Sequence, residues 1–361
     1  MYKKYLDQKS LSDFEHFLNK VNERWEFQYG LCSSYNDGGD PALGAEVEYF
    51  GFLVTADDRL RYIMENIVSL PDSKLSQENK ICNTIISHFY GARGIHGLMT
   101  GIKDPKEANV DFVRIATDPA YLAHIKTQAL KSKKGGSKFY GSTELHTSLQ
   151  TAARNFCRVK YNAPDRPIEL TDILEWIASW TQDDTIDRIL KVKSLQEMFN
   201  LLREKPGVGE YYGYHCATSN SVNPALKFQH DEKFCAPGPG ARGSLDLIFK
   251  PLKDSGTVKK MPYGDLTIWM RDNQKTLFKP ISVHKFFHNY EVNGKKIFED
   301  EQDELKVYTM EVALCQYGVY CRLRDNPHLI SKRKVARAED DSVCDLAVTV
   351  PSFMKNSLLE F

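Results

Sequence analysis

The chain has 361 residues, of which 42% are hydrophobic and 11% aromatic, and its 48 basic residues are balanced by 48 acidic ones. This composition excludes a disordered or low-complexity protein, and the even charge excludes recognition of a nucleic acid by net positive field alone. No apolar run of membrane-spanning length occurs, the start Met1-Tyr2-Lys3-Lys4-Tyr5-Leu6-Asp7 is not a signal peptide, and the eight cysteines show no zinc-type spacing. A cytoplasmic protein with reduced thiols, no membrane partner and no metal-ligand set is expected.

Residues 10–25 place Leu11, Phe14, Phe17, Leu18 and Val21 at helical spacing. A loop containing Asn36-Asp37-Gly38-Gly39-Asp40-Pro41 follows, then the aromatic residues Tyr49, Phe50 and Phe52, and Asp57-Asp58-Arg59-Leu60 leads into a second helix ending near Val68. An apolar helix over 80–90 runs into Gly91-Ala92-Arg93-Gly94, a tight turn that presents Arg93. The window Lys131-Ser132-Lys133-Lys134-Gly135-Gly136-Ser137-Lys138-Phe139-Tyr140 is the most basic in the chain, with lysines suited to phosphates and rings suited to stacking on bases. No Gly-Lys-Ser/Thr closes it, so it is not a P-loop. Residues 148–158 form a helix bearing Arg154, Asn155 and Arg158; 170–180 form a core helix through Ile173, Leu174, Trp176, Ile177 and Trp180; 185–192 form a short amphipathic one.

The centre of the chain is Pro206-Gly207-Val208-Gly209. Ser194-Leu195-Gln196-Glu197 before it has the capping-box form of a helix start, and Tyr211, Tyr212, Gly213, Tyr214 and Ala217 after it continue at helical spacing. Helix, hairpin, helix is the reading. Gly207, Val208 and Gly209 are candidates to hold a DNA phosphate through backbone N–H groups at the start of the second helix, and Gly213 is small enough to let the two helices pack closely. A glycine turn between two core helices is the alternative.

Beyond the hairpin, Phe228-Gln229-His230-Asp231-Glu232 supplies a carboxylate, or else the cap of a helix running toward Cys235. Pro237-Gly238-Pro239-Gly240-Ala241-Arg242-Gly243 forms a rigid loop that offers Arg242. Residues 258–278 contain a helix built on Leu266, Ile268, Trp269 and Met270, Asn293-Gly294 marks a tight β-turn, and 304–322 form the last helix.

The hairpin followed by Asp231 resembles the helix-hairpin-helix DNA glycosylase superfamily. A longer resemblance extends to the phage thymine-hypermodification proteins described as alpha-glutamyl/putrescinyl thymine pyrophosphorylases, which include amino acid:DNA transferases and relatives associated with hydroxymethyluracil DNA kinases. It is carried by Glu23-Arg24, Asp40-Pro41-Ala42-Leu43, Asp57-Asp58-Arg59, Glu311, Cys315, Tyr317, Arg322 and Lys332-Arg333-Lys334. The Trp-Thr of that family before the aspartate is absent.

The resemblance implies a mainly α fold, a glycosylase-like helical bundle with a small mixed insertion, divided into 1–190 as one wall of a cleft and 191–361 as the hairpin region. It implies a transferase that joins an amino acid or polyamine to a pyrophosphorylated 5-hydroxymethyl group of uracil in double-stranded DNA. Asp231 and His215 would then be catalytic; Gly207, Val208, Gly209, Arg93, Lys138 and Arg242 would hold phosphates; Tyr211, Tyr212 and Phe139 would line a pocket for the flipped base. A monovalent cation at the hairpin and Mg²⁺ accompanying pyrophosphate are the cofactor candidates. A glycosylase, a non-catalytic DNA binder and a hydroxymethyluracil DNA kinase are the alternatives, and His215 could instead be a hydrogen-bonded core histidine.

Overall fold

The computed structural model describes residues 2–28, 39–43, 58–90, 95–134, 147–167, 169–228, 233–278, 290–292, 295–298 and 304–330. These are mainly α-helical. The helices are α1 (Gln8–Gln28), α2 (Asp58–Ile63, continued by a π-turn over Met64–Val68), α3 (Gln77–Phe89), α4 (Ile95–Thr100), α5 (Phe112–Thr117), α6 (Pro119–Lys134), α7 (Thr147–Lys160) and α8 (Asp172–Ser179). They continue as α9 (Thr185–Ile189), α10 (Leu195–Arg203), α11 (Glu210–Asn220), α12 (Pro239–Ile248), α13 (Lys250–Asp254), α14 (Tyr263–Asp272), α15 (Gln274–Leu277) and α16 (Val307–Asp325). The strands β1 (Tyr290–Val292) and β2 (Lys295–Phe298) pair on either side of Asn293-Gly294, where the sequence places the turn. No described helix is long and apolar enough to cross a membrane.

The described helices fall into two compact units, α1 with α12–α16 and α2 through α11. Residue 190 therefore lies inside the second unit, between α9 and α10, and α1 belongs with the C-terminal helices. Aromatic burial is the reason. Phe14 and Phe17 lie 5.1 and 5.8 Å from Tyr317 by ring centroid, and Phe17 stacks on Tyr320 at 5.4 Å; rings of this size dominate the energetics of a core.

Within the first unit, α12 and α16 approach so closely that a Cβ on Gly318 would stand 2.8 Å from the carbonyl oxygen of Gly240. Ser244 of α12 donates to the Leu314 carbonyl at 2.6 Å across the same contact. Leu305, Leu314, Tyr317 and Tyr320 are buried as the last helix's spacing requires, whereas Val312 is half-buried.

Within the second unit, α3 is buried from Asn79 to Phe89, and its polar residues work as connectors. The Asn83 amide donates to the Val110 carbonyl at 2.7 Å and accepts from the Val110 N–H at 2.9 Å, which ties an irregular segment to the helix. The side chain of Lys80, almost wholly buried, reaches Asp72 at 2.8 Å. In α8 the five apolar residues picked out by periodicity are all buried, with Trp176 and Trp180 edge-on at 5.0 Å.

Candidate functional site

The hairpin is built as its sequence dictates. Ser194 caps α10 by accepting from the Glu197 N–H at 3.1 Å, and Glu197 reaches back to the Lys193 N–H at 2.7 Å, one residue beyond the partner a capping box prescribes. The chain turns through Gly207, whose φ of +81° a side-chain-bearing residue rarely adopts, and the Val208 N–H closes on the Lys205 carbonyl at 3.1 Å. Gly209 is the N-cap of α11. A Cβ on Gly213 would come within 3.0 Å of Arg203 and 3.3 Å of Phe199, so the two helices do pack through that glycine.

The two turn glycines serve different ends. A Cβ on Gly207 would lie 2.7 Å from the Ser148 carbonyl oxygen and 3.0 Å from the Ala152 side chain, so its open face is taken by the start of α7. Gly209 is exposed with nothing within 4 Å of its Cβ position. Gly207 thus shapes the turn and admits α7, whereas the Cβ side of Gly209, at the start of α11, is open. Val208 is buried and anchors the turn from below. Charges around the turn are mixed: Lys205 pairs with Asp183 at 2.8 Å, and Arg188 with Glu204 at 2.9 Å.

His215, Tyr211 and Tyr212 lie together on α11. The Tyr211 ring is 4.3 Å from His215 and 5.0 Å from Tyr212, and Tyr212 meets Phe89 edge-on at 6.0 Å. The tyrosines are half-buried and His215 is 8% exposed. Sequence reasoning missed the group behind them: the His88 Nε2 atom of α3 is 2.5 Å from the Ser219 hydroxyl of α11, and the His88 ring is 6.3 Å from that of His215. A contact across 131 residues leaves no local signal.

Arg93, Lys138, Phe139 and Asp231 lie outside the described residues. Residues 233–238 are described and are not helical, so the alternative of a helix running from Asp231 toward Cys235 is set aside. Arg242, in the first unit, donates to the Pro237 carbonyl at 2.8 Å and lies over the Tyr263 ring at 5.6 Å. Beside it Glu311 of α16, wholly buried, accepts from the Gly238 N–H at 2.9 Å and caps α12. Burial raises the Glu311 carboxyl to about 7, against the opposing pull of that N–H and of Arg242.

A third polar cluster occupies the second unit. Glu175, with no exposed side-chain surface, pairs with Lys126 and Lys160 at 2.8 Å each and accepts from the Tyr161 hydroxyl, and Asp172 pairs with Arg166 at 2.6 Å. Cys157, Asp172 and Glu175 have the mutual proximity of a metal-ligand set, yet both carboxylates already carry cationic partners. A cavity of about 110 Å³ lined by Lys74, Asn79, Lys106 and Glu107 involves none of the residues chosen from sequence.

Residues 123–328, more than half of the chain, match the family model described as 5-hmdU DNA kinase, helical domain. The chain belongs to that family. The 5-hmdU DNA kinase helical-domain match begins within α6 and ends just past α16, so it takes in the α10–α11 hairpin, α12 and Glu311. Membership connects the chain with enzymatic modification of hydroxymethyluracil in DNA. No curated protein and no solved structure matches it.

Proposed function

We propose that this protein is a transferase that replaces the pyrophosphate on an activated 5-hydroxymethyl group of uracil in DNA with an amine, from an amino acid or a polyamine. The family match over 123–328 is the observation that carries the hydroxymethyluracil substrate. The hairpin supports DNA as its carrier, because the exposed Gly209 opens a helix whose N-terminus favours an anion.

In this reaction the amine nitrogen bonds to the exocyclic methylene carbon, the carbon–oxygen bond breaks, and its electron pair departs on pyrophosphate. The nitrogen gives up one proton. Asp231 or His215 would accept it, the base being held against Tyr211, Tyr212 and Phe139 after leaving the stack. Arg93, Lys138 and Arg242 are the proposed cations for the phosphates. Mg²⁺ would serve as counter-ion to the pyrophosphate and a monovalent cation would sit at the hairpin.

A second reading, a hydroxymethyluracil DNA kinase, is favoured by the family's description. Against it, the sequence contains no Gly-Lys-Ser/Thr. The two are separated by supplying hydroxymethyluracil DNA with labelled ATP, and pyrophosphorylated hydroxymethyluracil DNA with an amine mixture, each with and without Mg²⁺, and weighing the nucleosides after digestion. Amine incorporation from the second substrate supports the transferase. Label transfer in the first establishes the kinase, free base with abasic sites establishes a glycosylase, and unmodified DNA that is still bound leaves a binding protein. Asp231→Asn should keep DNA affinity and lose turnover by on the order of a hundredfold or more.

A further inference from the structure

Tyr211, His215 and Ser219 stand at successive turns of α11, four residues apart, and form a column that leads inward from the hairpin end of the helix. Tyr211 is half-buried, His215 is 8% exposed and Ser219 is 1% exposed. His88 closes the inner end from α3, bonded to Ser219 at 2.5 Å with its ring 6.3 Å from that of His215. Next to Ser219, the hydroxyl of Thr218 is wholly buried and makes no hydrogen bond among the described residues.

A seam of packed helices gains nothing from imidazoles and hydroxyls that apolar side chains would not supply at lower desolvation cost. A bonded serine and histidine lying directly behind a second histidine is an arrangement suited to fixing the ring in front. The unmatched Thr218 hydroxyl beside them makes the seam polar beyond what one hydrogen bond needs.

We infer that His88, held by Ser219, is a positioning residue that fixes the ring of His215, and that His215 is the group that receives the proton in the hydroxymethyluracil reaction. The inference rests on the function proposed above. His215 takes the proton lost by the attacking amine as the carbon–nitrogen bond forms and pyrophosphate leaves with the electron pair. His88 and Ser219 touch neither reactant. Their effect is on the orientation and surroundings of the ring that does.

Two measurements test this on the full chain, with Ser219→Ala and His88→Gln as independent variants and thermal melts to confirm folding. In protein labelled with ¹⁵N-histidine, long-range proton–nitrogen spectra report the tautomer of each ring without substrate. Ser219→Ala is expected to change the His88 tautomer and, through it, the ring signals of His215; unchanged His215 signals in both folded variants overturn the inference. With pyrophosphorylated DNA and amine, each variant is expected to lose kcat about tenfold or more with DNA affinity and KM unchanged. A loss confined to KM, or full kcat in both variants, also overturns it. If the wild-type protein shows the ring coupling and modifies no DNA, the proposed function fails and the coupling is structural.

Discussion

The carbonyl oxygen of Ser148 lies 2.7 Å from where a Cβ on Gly207 would stand, and the Ser148 hydroxyl donates to the Gly207 carbonyl over 3.2 Å. The hairpin is thus braced from behind by the first turn of α7, and the two glycines of its turn have separable consequences.

Gly207→Ala must place a side chain at φ +81° and push back α7, so it should destabilise the protein by about 2 kcal/mol or more. Gly209→Ala meets open space at an ordinary φ of −80° and loses only a favoured N-cap residue, so it should cost about 1 kcal/mol or less. Urea denaturation of both variants checks this. If Gly209 faces a phosphate, Gly209→Val should lower affinity for all DNA sequences alike while the protein stays folded; equal affinity would remove the hairpin from DNA binding.

Glu311 supplies a pH dependence with a definite sign. Its native carboxyl keeps a proton up to about 7, whereas the unfolded chain releases it near the ordinary value of 4.5. Between those values the native state binds more protons, so this group's contribution is complete below pH 4.5 and is lost as pH rises through 7. The effect is on the order of 3 kcal/mol. Glu311→Gln keeps an oxygen for the Gly238 N–H and should be more stable than the parent at pH 8, with the difference shrinking at pH 5. Denaturation curves at the two pH values decide it, and a parent that gains stability relative to Glu311→Gln at pH 8 contradicts it.

His96 acts in the opposite direction. It is buried in α4, stacked on Tyr62 with ring centroids 5.5 Å apart, and among the described residues neither ring nitrogen has a hydrogen-bond partner. Burial lowers it to about 4, against a smaller favourable effect of the Asn83 backbone on the charged form. The unfolded chain takes up a proton near 6.5, so the contribution is present above that value and is lost as pH falls through 4. His96→Phe should flatten the loss of stability between pH 6.5 and 4, measured by thermal melts across that range.

The Glu175 cluster predicts a contrast between buried and exposed ion pairs. Glu175→Ala leaves Lys160 and the Tyr161 hydroxyl without their acceptor and Lys126 with only Glu169 at 3.6 Å, and because both lysines keep some contact with water it should cost on the order of 2 kcal/mol. Glu204→Ala removes an exposed pair with Arg188 and should leave the melt unchanged. Parallel calorimetry of the two variants gives the comparison.

The hairpin was legible because its signals are local: a serine cap, a glycine that only a left-handed turn requires, and apolar spacing on both sides. The core positions of α1 and α8 were legible for the same reason, since a period of 3.6 residues reports which face is buried whatever buries it. The identity of the partner is a different matter. That α1 packs on α16, that α7 fills the space over Gly207 and that Glu311 caps α12 each depend on contacts between residues far apart in the chain.

The sequence by itself determined the helical class and the hairpin, which are carried by residue types at short fixed spacings, and through the family match over 123–328 the tie to hydroxymethyluracil in DNA. Tertiary structure alone decided which of two similar glycines remains open, and it alone set His88 against Ser219 and buried Glu311 beside Arg242. Desolvation and long-range hydrogen bonding are set by the whole packed neighbourhood of a group, so no window of sequence contains them.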